Sequence, residues 1–256
     1  MEQSEFSLTD GLKGGPYFDC VLRALNVFDK YLGKIVQSPQ ANEKGCFQYV
    51  AYNEKKFLLQ MHRVSVVLDI LDRRRQARFL DVGCGIGTKV FMVSTLFAQA
   101  DGLEFDKNYI EVAKKVHQSS SWEHSQNISF MEGDALDFSR YSEYDVIYLY
   151  RPFHDSVNQD KLEEKIAQNI KTNAIIVGTL CNFFKLPEHI RPRMIFNNGY
   201  LKTDSEFLAN KIRNNLESLG LNDHKQDLNV PEGLPLAKAP MVEGKRTGNI
   251  PILVEI

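Results

Sequence analysis

The sequence predicts an α/β protein: a mostly parallel sheet with helices on both faces and a helical extension in front. Three observations carry this. Between residues 79 and 180, short apolar runs alternate with helix-length amphipathic segments. The first run, 79–82, ends in Gly83-Cys84-Gly85-Ile86-Gly87, with a glycine at every second position. Acidic residues stand at or just past the ends of the next two runs. Strands that alternate with helices pair in parallel, because each crossover helix returns the chain to its starting edge. Ligands of such sheets bind outside the carboxyl ends of the strands.

The elements follow in order. Phe18, Val21, Leu22, Leu25, Phe28, Leu32 and Ile35 share one helical face, with Pro16 at the start and Pro39 at the end. Residues 47–52 form an aromatic loop, with Tyr49 and Tyr52 as lid candidates. Phe57, Met61, Val64, Leu68 and Leu71 recur at helical intervals. The basic run Arg73-Arg74-Arg75, with Arg78, reads as a solvated turn before the first strand. A helix follows the glycines over 89–98, then a strand over 100–104 and a helix over 106–116 with Asp106 as its N-cap. Strands are expected at 128–131, 144–150 and 174–180, with a helix over 159–170. Residues 203–219 read as a helix stopped by Gly220, residues 230–248 as a loop, and 251–256 as a terminal strand.

The glycine turn carries the chemistry. Glycines between a strand and a helix let a ligand approach bare backbone at a helix N-terminus. A dinucleotide cradle needs G-x-G-x-x-G. Here the third glycine of that pattern would fall on Thr88 or Val90, so a cofactor without a pyrophosphate fits better. Glu104 stands 17 positions after Gly87, near the spacing at which a carboxylate accepts hydrogen bonds from ribose hydroxyls. Asp81, Gly83, Gly85, Glu104, Asp134 and Tyr150 all lie at or just past strand ends, which places them in one site.

Residues 78–150 resemble the class I S-adenosylmethionine-dependent methyltransferases, with the glycine turn matching their first motif. The resemblance implies a Rossmann-like, mostly parallel seven-stranded sheet, closed by an antiparallel strand that residues 251–256 would supply. It implies S-adenosyl-L-methionine as cofactor, held by Asp81, Gly83, Cys84, Gly85, Gly87, Glu104, Phe105, Asp134, Ala135 and Tyr150. Asp134 would face the adenine amino group. It also implies an extension over residues 1–76 that folds over the site, and a methyltransferase domain over 77–256 with acceptor-side elements in 183–250. The fourth motif departs from the pattern: Tyr150-Arg151-Pro152-Phe153 keeps a proline and an aromatic but lacks the polar residue and first proline of the amine and amide methyltransferases. Tyr150, Phe153 and His154 are the candidates on the catalytic side. Asp155 or Ser156 is alternatively a helix cap beside a solvated His154.

Composition narrows the partners. A formal net charge of -2 over 256 residues gives no global pull toward nucleic acid. Cys20, Cys46, Cys84 and Cys181 are scattered, with no C-x-x-C pair, so neither zinc nor a disulfide framework is indicated. No apolar run spans a bilayer and the N-terminus lacks a targeting pattern, so the expectation is a cytoplasmic protein without membrane partners. A small-molecule acceptor is expected, with a protein acceptor as alternative. Lys185, Arg191 and Arg193 would suit an anionic acceptor, against a solvated loop. A cofactor-binding subunit without catalytic activity is the third reading, because the fourth motif is degenerate.

Overall fold

A computed structural model describes residues 35–48, 53–119 and 125–221. Its seven strands are β1 (Arg78–Val82), β2 (Gln99–Glu104), β3 (Ile128–Glu132), β4 (Val146–Tyr150), β5 (Ile175–Thr179), β6 (Arg193–Phe196) and β7 (Gly199–Leu201). Its helices are α1 (Pro39–Lys44), α2 (Glu54–Ile70), α3 (Thr88–Val93), α4 (Lys107–Ser119), α5 (Ser156–Asn169) and α6 (Glu206–Ser218). The strands lie in the order β3-β2-β1-β4-β5-β7-β6. The first five run parallel, while β7 pairs antiparallel with both β5 and β6. This is the expected Rossmann-like α/β architecture. The chain goes outward from β1 to β3 and then returns to β4, so the order reverses between β1 and β4. That switch point is where a crevice opens at the carboxyl ends of such a sheet.

Side-chain alternation along the strands divides the core in two. Phe79, Val146, Tyr148, Ile175 and Val177 face a layer that includes Phe57, Met61 and Val64 of α2, Val90 of α3, Ile110 of α4 and Ile212 of α6. Their neighbours Leu80, Val82, Ile147, Leu149 and Ile176 face the other layer, with Leu162 and Ile166 of α5. Strands buried on both faces are apolar at most positions, which is why β4 reads as a continuous apolar run instead of alternating with polar residues.

Two expectations change. Arg193, read from sequence as part of a possible solvated loop, lies on the β6–β7 hairpin, which supplies the antiparallel edge of the seven-stranded sheet among the described residues. Asn198 takes the left-handed φ of 61° that the tight turn needs. Arg193 is committed to this hairpin, with its Nε on the Thr203 carbonyl and a guanidinium ion pair to Glu206. Pro39 opens a helix instead of ending one: it occupies the first turn of α1, and Ser38 Oγ accepts from Ala41 N at 3.3 Å. The first expected helix except for Ile35, the lid candidates Tyr49 and Tyr52, the 230–248 loop and the 251–256 strand lie outside the described residues.

Gly102, in the middle of β2, supports the glycine turn from below. A Cβ there would stand 2.6 Å from Cys84 Sγ and 2.9 Å from the Phe130 ring. Gly102→Val should therefore destabilise the fold by about 1–3 kcal/mol through overpacking. The check is a lower urea midpoint at an unchanged denaturant slope.

Candidate functional site

The glycine turn is held in a strained path that only glycine adopts cheaply. Gly83, Gly85 and Gly87 have φ of 76°, 55° and 81°. Gly83 N and Cys84 N both donate to Leu103 O, at 2.8 and 3.1 Å, which hangs the turn on β2. The next link is side chain to backbone. Glu104, the last residue of β2, accepts from Gly85 N at 2.7 Å through Oε2 and from Asp106 N at 2.8 Å through Oε1. Asp106 in turn accepts from Asn108 N at 2.9 Å, capping α4, and from Ser38 N at 2.7 Å.

That last bond brings in a segment from the extension that precedes β1. Residues 37–47 form a strap across the carboxyl ends of the strands. One end is fixed at the β2 exit by Asp106 and by Asn108 Nδ2 on Val36 O. The other is fixed at the β4 exit, where Phe47 N donates to Pro152 O at 2.9 Å and His154 N to Gly45 O at 3.0 Å. Gln37 Nε2 closes the strap on itself through Cys46 O and Phe47 O. The half-buried Cys46 thiol is pushed up to about 12, first by burial and then by the carboxylates of Glu104 and Asp134. It is thus a neutral packing group beside both acids.

The structure brings most of the expected residues to one place. Asp81 lies near the end of β1, Phe105 follows Glu104, Asp134 and Ala135 follow β3, and Tyr150 ends β4. Pro152 packs against Gly83 so closely that a Cβ on the glycine would lie 2.9 Å from it. Asp134 accepts from Leu136 N at 2.8 Å and forms an ion pair with Lys44 of the strap, whose ammonium also lies 5.8 Å from the Phe105 ring centroid. Two residues go elsewhere. The Phe153 side chain is buried in the α5-side core, and only its backbone meets the strap, as a bridge to Cys46. His154 is exposed and sits edge-on to Phe47 at 5.9 Å. Asp155 caps α5 by accepting from Asn158 N at 2.7 Å.

Two acids make the site electrostatically unfinished. Asp81 is 2% exposed and its Oδ2 has no hydrogen-bond partner. Burial raises its pKa to about 6, against the opposing pull of Lys89. Burial raises Glu104 to about 7, opposed by the Asp106 and Gly85 amides and reinforced by Asp106 and Asp81. Burying a carboxylate is costly, and here the Lys89 charge and the Gly85 and Asp106 amides offset that cost only in part.

The sign of the pH dependence follows. In the unfolded chain these acids ionise near 4.5 and 3.8. The folded chain keeps their protons to higher pH. Their contribution to stability is therefore intact below the unfolded values and is lost as pH rises through 6 to 7. For Glu104 alone the loss is on the order of 3 kcal/mol. Thermal or urea melts of the ligand-free protein should weaken between pH 5 and pH 8 (about three units of the titration window), and Glu104→Gln should flatten that slope.

Residues 74–231 match a family model described as a methyltransferase domain. No curated protein matches. Among solved structures, the chain is similar to the YcgJ protein of Bacillus subtilis, with 24% identity, 46% of this chain and 50% of that chain covered, and a TM-score of 0.36. It thus spans half the length of that protein. It is similar to an RNA methyltransferase from Salinibacter ruber in complex with S-adenosyl-L-homocysteine, at 21% identity, covering 56% and 91% of the two chains with a TM-score of 0.42. It is also similar to PKMT2 from Rickettsia typhi in complex with the same product, at 27% identity, covering 40% and 20% with a TM-score of 0.35. The family match takes in more than half of the 256 residues, and it contains the glycine turn, Glu104, Asp134 and the whole sheet. This chain belongs to the methyltransferase domain family.

Proposed function

We propose that the protein transfers the methyl group of S-adenosyl-L-methionine to a small-molecule acceptor, and that the cofactor lies across the glycine turn at the β1–β4 switch point. The observation that carries this reading is the acid pair. Asp81 and Glu104 are buried, raised in pKa and, in the case of Asp81 Oδ2, without a partner. A sulfonium ion with an α-ammonium and two ribose hydroxyls supplies the positive charge and the donors that these groups lack. The residues present fit it: bare backbone at Gly83, Gly85 and Gly87, acceptors at Asp81, Glu104 and Asp134, and apolar walls from Cys84, Phe105, Ala135 and Tyr150. The cofactor supplies an electrophilic methyl group on a good leaving group. The chain's own residues then have to position an acceptor, and proximity and orientation are worth roughly 7–11 kcal/mol.

On the acceptor side, Tyr150 stands at the β4 exit, and Phe153 and His154 contribute through their backbones by tying that exit to the strap. The acceptor side of this reading runs over the segments that follow β4 and β5 and under the strap. A small molecule is favoured over nucleic acid because the net charge is -2. The described residues contain no helix long and apolar enough to cross a membrane, and a cytoplasmic setting is part of the proposal.

Two outcomes test the assignment. Gly85→Val places a branched side chain at a φ of 55°, where the turn must present backbone. Its calorimetric affinity for S-adenosyl-L-homocysteine should fall at least about tenfold, the size of one lost charge-assisted bond. Equal affinity in a folded variant would refute the site. Because ligand donors favour the ionised acids, affinity in the wild type should rise with pH through 6 to 7, opposite to the stability trend of the free protein. A labelled-methyl screen against fractionated small molecules, protein and RNA identifies the acceptor class, and label appearing only in protein or RNA would overturn the small-molecule assignment.

A further inference from the structure

Asp134, the acid assigned above to the adenine amine, already holds a cation. Its Oδ1 is used by Leu136 N at 2.8 Å, which leaves Oδ2 for a ligand, and Lys44 Nζ has taken Oδ2. The same ammonium lies 5.8 Å from the centroid of Phe105, one of the apolar walls proposed above for the cofactor. We propose that Lys44 sets the cofactor affinity of this enzyme: its ammonium holds the place of the adenine's exocyclic amine, between the Asp134 carboxylate and the Phe105 ring, and cofactor binding displaces it. This rests on the cofactor reading above.

The chemistry of the two occupants matches. An ammonium offers N–H donors to a carboxylate and a cation to an aromatic face. An aminopurine offers an N–H donor to the same carboxylate and a flat face to the same ring. They cannot both use Asp134 Oδ2 in the same geometry. Lys44 also has a way out. Its side chain is 30% exposed while that of Asp134 is 13% exposed, so the ammonium can return to water while the acid stays in the site. The strap need not move with it. Its anchors are Ser38 N on Asp106, Phe47 N on Pro152 O, His154 N on Gly45 O and Asn158 Nδ2 on Lys44 O, and none uses the Lys44 side chain. In the free protein the ion pair spares Asp134 the cost of a half-buried, unpaired charge. In the bound protein the adenine takes over that duty.

The test uses the full chain, with S-adenosyl-L-homocysteine and S-ribosylhomocysteine, which lacks only the adenine. Lys44→Met keeps an apolar stem over Phe105 and removes the charge. It should bind S-adenosyl-L-homocysteine about three- to tenfold more tightly than wild type, in keeping with the loss of a partly exposed ion pair as competitor. Its affinity for S-ribosylhomocysteine should not change. Lys44→Arg, which keeps the charge, should show no gain. In the wild type, acylation of Lys44 by an N-hydroxysuccinimide ester, followed by mass spectrometry, should accelerate when S-adenosyl-L-homocysteine is added. Unchanged or weaker product binding by Lys44→Met, or Lys44 protected by the product, overturns the proposal while leaving the cofactor site standing. A folded wild type and a folded Lys44→Met that both fail to bind S-adenosyl-L-homocysteine overturn the cofactor reading, and this proposal with it.

Discussion

One carboxylate organises the site. Glu104 reaches two backbone amides that belong to different turns, Gly85 after β1 and Asp106 after β2. Parallel strands share no hairpin, so the loop after β1 is held on β2 by Leu103 O and tied to the loop after β2 by the glutamate. Asp106, ordered by Glu104, then holds Ser38 and with it one end of the strap. The relay from Gly85 through Glu104 and Asp106 to Ser38 links segments that are far apart in sequence, and each step is a charge-assisted bond to a backbone amide. Both carboxylates are buried, so each bond is strong and each would be costly to lose.

The same burial explains why the site carries strain in the absence of a ligand. Burial lifts Glu104 and Asp81 well above the ordinary carboxylate range, and one oxygen of Asp81 has no partner. A fold optimised for stability alone would place apolar groups there. Groups left unsatisfied beneath a glycine turn are instead stability given up for binding, which is the usual exchange at functional sites. In the proposed cofactor reading, a cationic ligand with hydroxyl donors reverses the penalty, so affinity and fold stability are expected to respond to pH in opposite directions.

The sheet was legible because its information is local. The apolar runs at 79–82, 144–150 and 174–180, the glycine spacing and the acid at 104 are read from adjacent residues, and β1, β4 and β5 overlap those runs. The pattern failed where the deciding contact is distant. The strands of the β6–β7 hairpin are four and three residues long, and β6 includes Arg193 and the exposed Met194, so no periodicity marks it. It exists because β5 offers an edge. Pro39 reads equally well as a helix stop or a helix start, and Ser38 decides it by capping α1 while bonding Asp106. Lys44 carries no signal at all in sequence, since its partner Asp134 lies on the far side of three strands of chain.

The first and fourth motifs turn out to be one steric unit, and this bears on the departure at Tyr150-Arg151-Pro152-Phe153. Pro152 occupies the space where a side chain at Gly83 would have to go. Gly83 is therefore required twice: by its φ of 76° and by the proline from the neighbouring strand exit. The peptide carbonyl of Pro152 also receives Phe47 N, so the strap, the fourth motif and the glycine turn meet at one residue. Arg151, just before it, is bent to a φ of 31°, and Leu180 at the adjacent β5 exit to 58°, both unusual for side chains of this bulk. Their guanidinium-to-carbonyl contact at 3.4 Å ties the two exits together. The proline that the motif retains is thus the one the architecture needs, at the junction with Gly83. The positions that depart, Tyr150 and Arg151, lie at the end of β4 and just past it, and Arg151 reaches the β5 exit instead of the glycine turn.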